Sequence, residues 1–177
     1  MRKVLAGAVA GLIAGIAPGC ARKKIRPPVE DDVSQPASLS STIKMSDPAA
    51  AFQLLRGFYP VEQGPWRWTM QRFAVALQPP QGAAQNGAEL VFRFSVPKLV
   101  LDRLGKITLM ASTSGQNLAP ETYAKTGEAV YSRPVPPSAF VNEPLTIDFA
   151  MDRALAAGAV ESRELGVVAI QVSLDPK

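Results

Sequence analysis

The chain has 177 residues, 47% of them hydrophobic and 19% charged, which is enough apolar material for one ordinary globular domain once a targeting segment is removed. It has no histidine and a single cysteine. Ser-His-Asp triads, Cys-His dyads and most zinc sites are thereby excluded, as is a disulfide within one chain. The formal charge of +4 is concentrated near the start: from Ala50 onward 12 basic residues face 11 acidic ones, so the basic face of a nucleic-acid reader is missing.

The first twenty residues, MRKVLAGAVAGLIAGIAPGC, open with Arg2 and Lys3, continue through an apolar run from Val4 to Ile16 and end on small residues at Cys20. These are the parts of a secretory leader. The run is shorter than the roughly 20 residues that cross a bilayer, so residues 1–19 are expected to be removed as a signal peptide. Ala17, Pro18, Gly19 and Cys20 resemble the cleavage motif of bacterial lipoprotein leaders, in which small residues precede an invariant cysteine. That resemblance, confined to the leader, implies a diacylglyceryl group on the Cys20 thiol and cleavage to leave Cys20 as the mature N-terminus. It further implies a membrane-anchored protein of the cell envelope, sorted to the outer membrane in a Gram-negative cell because Ala21 rather than aspartate comes after the cysteine. A plain cleaved signal peptide and an uncleaved anchor are the alternatives. The basic group Arg22, Lys23, Lys24 and Arg26 runs against the tendency of positive charge to stay cytoplasmic. Beside an anchored lipid, each of those charges would gain about 1 kcal/mol from anionic headgroups.

Residues 20–46, which begin at the cysteine, hold three prolines, several serines and no sustained apolar period, and read as a flexible tether. The folded domain is expected over residues 47–177. It should open with a helix of about two turns: Asp47 as cap, Pro48 at the first position, good helix formers from Ala49 to Arg56, and Gly57 as the stop. Phe52 and Leu55 would share the face packed on the sheet.

Beyond this point the pattern alternates. In "WRWTM", Trp66, Trp68 and Met70 share one face of an extended segment, with Arg67 and Thr69 opposite. Packing the indoles in the core or at its edge would close the end of the sandwich and would require a bulge or tight turn near Gln71 and Arg72, where the apolar set passes to Phe73, Val75 and Leu77. The competing reading makes Trp66 and Trp68 an exposed platform for stacking a sugar. Leu90, Phe92, Phe94 and Val96 form a clean period-two strand, as do Leu145, Ile147, Phe149 and Met151. Ile107, Leu109 and Ala111, and then Val168, Ile170, Val172 and Leu174, give two more. With turn signals at Pro79-Pro80, Pro97, Gly105, Ser114-Gly115, Pro134 to Pro137 and Gly158, the class is all-β: an antiparallel β-sandwich, jelly-roll or immunoglobulin-like, with one short N-terminal helix.

Two stretches, GFYPVEQGPWRWTMQRFAVAL (57–77) and SRELGVVAIQVSL (162–174), carry a second resemblance. Through Phe58, Tyr59 and Glu62, the "RWT" of Arg67 to Thr69 and the "RELGV" of Arg163 to Val167, they resemble the opening and closing strands of a small β-sandwich module. That module occurs appended to bacterial glycosyltransferases and other surface-polysaccharide proteins. The resemblance implies a structural role for Glu62, Arg67, Arg163 and Glu164 as an ion-pair corner joining the first and last strands; four unrelated surface charges are the alternative.

Glu89, Asp102, Asp148, Asp152, Glu161 and Glu164 are available carboxylates, but their spacing singles out no pair of the kind that hydrolyses a glycoside. "SGQN" at 114–117 reads as a turn rather than a nucleophile elbow, and no phosphate-binding loop is present. The expectation is a non-catalytic envelope lipoprotein without cofactor or metal. It would be held to the membrane by Cys20 and bind a glycan or an envelope protein through Trp66, Trp68 and Tyr59. A purely structural lipoprotein and a histidine-free glycosidase are the alternatives.

Overall fold

The computed structural model describes residues 38–62 and 64–177. The leader, Cys20 and the tether up to residue 37 lie outside the described residues. Nine antiparallel strands succeed one another: β1 Thr42–Lys44, β2 Leu54–Phe58, β3 Arg67–Leu77, β4 Ala88–Val96, β5 Ile107–Thr113, β6 Gln116–Tyr123, β7 Gly127–Val135, β8 Leu145–Met151 and β9 Val168–Pro176. The chain is all-β, as its period-two patterning predicts.

The strand order β6-β5-β8-β3-β9-β4-β7 folds back on itself as two faces because β3 belongs to both. Arg67 and Trp68 pair with Ala169 and Val168 of β9, whereas Arg72 to Leu77 pair with Ala150 to Leu145 of β8. Where β3 leaves β9, β1 takes its place, Thr42 opposite Ser173 and Lys44 opposite Gln171. On the far side, β6 and β7 come together through side chains: the Tyr131 hydroxyl and the Arg133 Nε donate to the Ala119 carbonyl at 2.8 and 2.7 Å, and the Tyr123 hydroxyl donates to Val130 O at 3.1 Å. The sheet is thus nearly closed, with few open ladder groups to template aggregation.

The interior is a run of aromatic rings. Phe73 stacks on Phe149 at 4.9 Å and Phe92 on Phe94 at 4.7 Å, with Phe58 edge-on to Phe73 and Tyr123 edge-on to Phe94. Such pairs add to the area term about 0.5–1.5 kcal/mol each. β4 and β8 bury every apolar residue expected of them, because each lies in one sheet along its whole length.

The folded body begins earlier than residue 47. Ile43 and Met45 are fully buried, so residues 38–46 belong to the sandwich and not to a tether; their two apolar residues stand at the period of an edge strand. The expected helix over Ala49–Arg56 is instead a 3₁₀ turn, Pro48–Gln53, capped by the Asp47 carboxylate accepting from Ala49 N at 2.8 Å. It stops because Gln53 is drawn inside, where its Nε2 donates to Ser40 O and Ala76 O at 2.9 and 2.7 Å and its Oε1 accepts from Ser40 N at 3.0 Å. From Leu54 the backbone pairs with β3 as β2, leaving Phe52 and Leu55 at 46% and 48% exposure rather than packed on the sheet. Gly57, with φ +77°, serves a close approach and not a helix stop: a Cβ there would lie 2.1 Å from Arg72 O. Two short helices are additions to the sequence reading, α1 Ala83–Asn86 and α2 Lys98–Leu104. The Pro97 and Gly105 read as turn signals are the caps of α2. Among the described residues no helix is long and apolar enough to cross a membrane.

Candidate functional site

Neither tryptophan is fully buried, and of the two Trp68 packs against the core from its edge. On β3 the inward side is the odd one throughout: Thr69, Phe73, Val75 and Leu77 are all fully buried, while Met70 is 36% exposed. β3 does turn a corner around Gln71 and Arg72, where its register against β2 slips between Arg56 opposite Ala74 and Phe58 opposite Thr69. The inward parity nevertheless survives the corner. Thr69 holds its side by hydrogen bonding: Oγ1 accepts from Val167 N at 3.1 Å and donates to Val167 O at 3.2 Å. Trp66 and Trp68 are half-buried, with Trp68 packed against the core.

The cross-strand register builds a groove around them. Trp68 stands opposite Val168, Val168 opposite Ser95, and Ser95 opposite Glu128. One row across β3, β9, β4 and β7 therefore reads large, small, small, large. With neighbouring strands about 4.8 Å apart, its walls are separated by roughly 14 Å of backbone, over a floor of Val168 and Ser95. Trp66 lies two residues back on the same side. Ile170 is pushed into the same groove by a β-bulge: Arg93 pairs with Gln171 and Phe94 with Ala169, which leaves Ile170 as the extra residue. Val168, covered though it is, and Ile170 thus line the groove, while Val167 and Ala169 join the core. The groove encloses about 390 Å³, with Pro97 at one end. Gly64 lets the Trp66 indole fold back on the loop, since a Cβ there would be 2.3 Å from Nε1.

Tyr59 lies apart from this groove. The Arg163 guanidinium sits over its ring at 4.9 Å and pairs with Glu62, and with Glu161 at 2.5 Å; those two carboxylates raise the Arg163 pKa further above its already high value. The four-residue ion-pair corner therefore holds only in Glu62 and Arg163. Arg67 donates instead to two carbonyls, Met45 O at 2.9 Å and Tyr59 O at 3.2 Å. Glu164 accepts from Gln71 N at 2.5 Å. Both satisfy backbone groups instead: Arg67 the carbonyls just past the ends of β1 and β2, and Glu164 the Gln71 amide where β3 turns between sheets.

The remaining carboxylates are engaged separately. Asp148 pairs with Arg56 across Ala74, Asp102 with Lys98 at 2.7 Å, and Glu89 accepts from Ser132 Oγ at 2.6 Å. Asp152 accepts from Thr108 N at 2.7 Å and from Arg153 Nε at 3.1 Å. Among the described residues no three Asp, Glu, His or Cys side chains gather as a metal site. A second depression of about 350 Å³ lies on the outer face of the other sheet, between Arg56, Arg72, Ser112 and Asn117. Glu128 and Ser95, which complete the groove, carry no local sequence signal; only the register brings them opposite the indoles.

No protein-family model, curated protein or solved structure matches the chain.

Proposed function

We propose that this chain is a lipid-anchored protein of the cell envelope whose sandwich is a non-catalytic binding module, taking a glycan along the groove of Trp66 and Trp68. One observation carries the reading: two indoles remain half open to water side by side along one groove, over Val168 and beside Ile170, while Phe73, Phe92, Phe94, Tyr131 and Phe149 are buried in the core. An indole face is flat and apolar with a polar N–H at its edge, suited to a sugar ring that offers C–H groups on one face and hydroxyls at its rim. Ser95 on the floor and Glu128 at the opposite wall supply acceptors. The anchor rests on the leader ending at Cys20, whose thiol is the chain's only one.

Two experiments test this. A version beginning at Gln35, the start of the compact unit, is applied to an array of envelope glycans beside Trp66→Ala and Trp68→Ala. Binding by the parent that either substitution abolishes supports the groove, whereas a silent array, or binding indifferent to both, overturns it. For the anchor, Cys20→Ser is expected to move the full chain from membranes to the soluble exported fraction. Continued need for detergent would overturn the lipid.

A further inference from the structure

Resting on that reading of the groove, we infer that it selects sugars bearing a free ammonium group, with Glu128 as the counter-charge. Among the described residues the Glu128 carboxylate takes part in no hydrogen bond and no ion pair, while nearly every other carboxylate of the sandwich is held by a neighbour. It forms the wall opposite Trp68, and among the described residues it is the sole charged side chain lining the groove. The two indoles add to its preference for a cation, because the ring face is the negative end of the aromatic quadrupole. A hexosamine with an unacetylated amine presents what this arrangement lacks: a C–H face for the rings and an N⁺–H donor for the carboxylate.

Arg93 sets the limit of the subsite. It lies in the adjoining depression, which shares Glu128 and Ile170 with the groove, and opposes Val130 one row away. An ammonium placed beyond Ile170 would meet that guanidinium, so the amine must sit on the Ser95 side of Glu128.

The test is calorimetric titration of the version beginning at Gln35, at mildly acidic pH and low salt, with three β-1,4 oligomers: glucosamine, N-acetylglucosamine and glucose. The glucosamine oligomer is expected to bind about tenfold more tightly than the other two, the worth of one charge-assisted hydrogen bond. Glu128→Gln should erase that advantage without altering affinity for the neutral oligomers, and high salt should erode it. Because Glu128 is exposed, the substitution leaves the fold intact, which an unchanged melting temperature verifies. Equal affinity for all three, still abolished by Trp68→Ala, overturns the ammonium inference and leaves the glycan groove standing. No binding of any oligomer or arrayed glycan overturns both.

Discussion

Thr69→Val decides which side of β3 faces the core. The substitution keeps shape and removes only the hydroxyl, whose partners are the N–H and C=O of Val167 at 3.1 and 3.2 Å. The carbonyl keeps a bond from Thr69 N at 2.9 Å, but the Val167 N–H would be stranded in a fully buried residue. An unpaired buried donor costs about 1–3 kcal/mol; the extra methyl returns at most ~0.8 kcal/mol. The net loss of about 1–2 kcal/mol corresponds to roughly 3–8 °C in Tm for a domain of this size. If the indoles faced inward, Thr69 would face water and the same change would stay within about 0.5 kcal/mol. Thermal melts monitored by circular dichroism, with urea titrations to check that the slope is unchanged, measure the difference, and amide exchange at Val167 should accelerate in the variant. A Tm equal to that of the parent refutes the assigned parity and with it the groove.

Close contacts and buried phenols give three further expected outcomes. Gly57→Ala would drive a Cβ to 2.1 Å from Arg72 O and 2.7 Å from the Phe73 Cα at a φ of +77°; with backbone on both sides and left-handed strain added, a loss of at least about 3 kcal/mol is expected in urea denaturation, and a loss below about 1 kcal/mol would contradict the approach of β2 to β3. Gly64→Ala meets only Trp66 ring atoms, so Tm should move by less than about 2 °C while tryptophan fluorescence shifts and glycan affinity falls. Burial first, then the neighbouring Glu121 carboxylate, raises the Tyr123 pKa above its ordinary value, and burial does the same for Tyr131 against the opposing charge of Arg133. The folded chain therefore keeps protons that the unfolded chain loses near pH 10, so stability is full below about pH 9 and declines as pH rises through about 10 and above. Urea midpoints across that range should fall less steeply in Tyr123→Phe.

How much can be read in the sequence depends on whether a strand stays in one sheet. β4 and β8 do, and their alternation names the inward set residue by residue. β3 and β9 do not. The Trp66–Trp68 pair is more apolar than Arg67–Thr69, so the rule of burying the apolar face places the indoles inside and requires a change of parity to reach Phe73. The simpler continuation, with Thr69, Gln71, Phe73, Val75 and Leu77 on one side, is present in the same letters, and its cost is one buried hydroxyl that Val167 satisfies. In β9 the run Val167-Val168-Ala169-Ile170 is apolar on both faces, and only the bulge opposite Arg93 and Phe94 decides that Ile170 is outside. Arg67 and Glu164 are expected from charge alone to pair. The geometry gives Arg67 to carbonyls just past the ends of β1 and β2 and Glu164 to the amide at the corner of β3, demands no spacing in the sequence announces.

The corner that defeats the pattern is also what leaves room for a site. Had β3 stayed alongside β9, the sheet would have continued; because it departs, β1 takes its place on the ladder, and only the first residues of β3, Arg67 and Trp68, remain paired with β9 and present their outer side chains at a sheet margin. The N-terminal segment joins the fold at Ser40, fixed by the three hydrogen bonds of Gln53 and by Leu174 N donating to Ser41 O at 2.8 Å. Val168, on the groove floor, lies six residues earlier on β9 than Leu174, roughly 20 Å at strand rise. Tension applied through the N-terminus would therefore be borne by Gln53 and the β1–β9 ladder, and not by Trp68, Ser95 or Glu128. A groove separated in this way from the point of attachment can stay open and correctly spaced whatever holds the start of the chain.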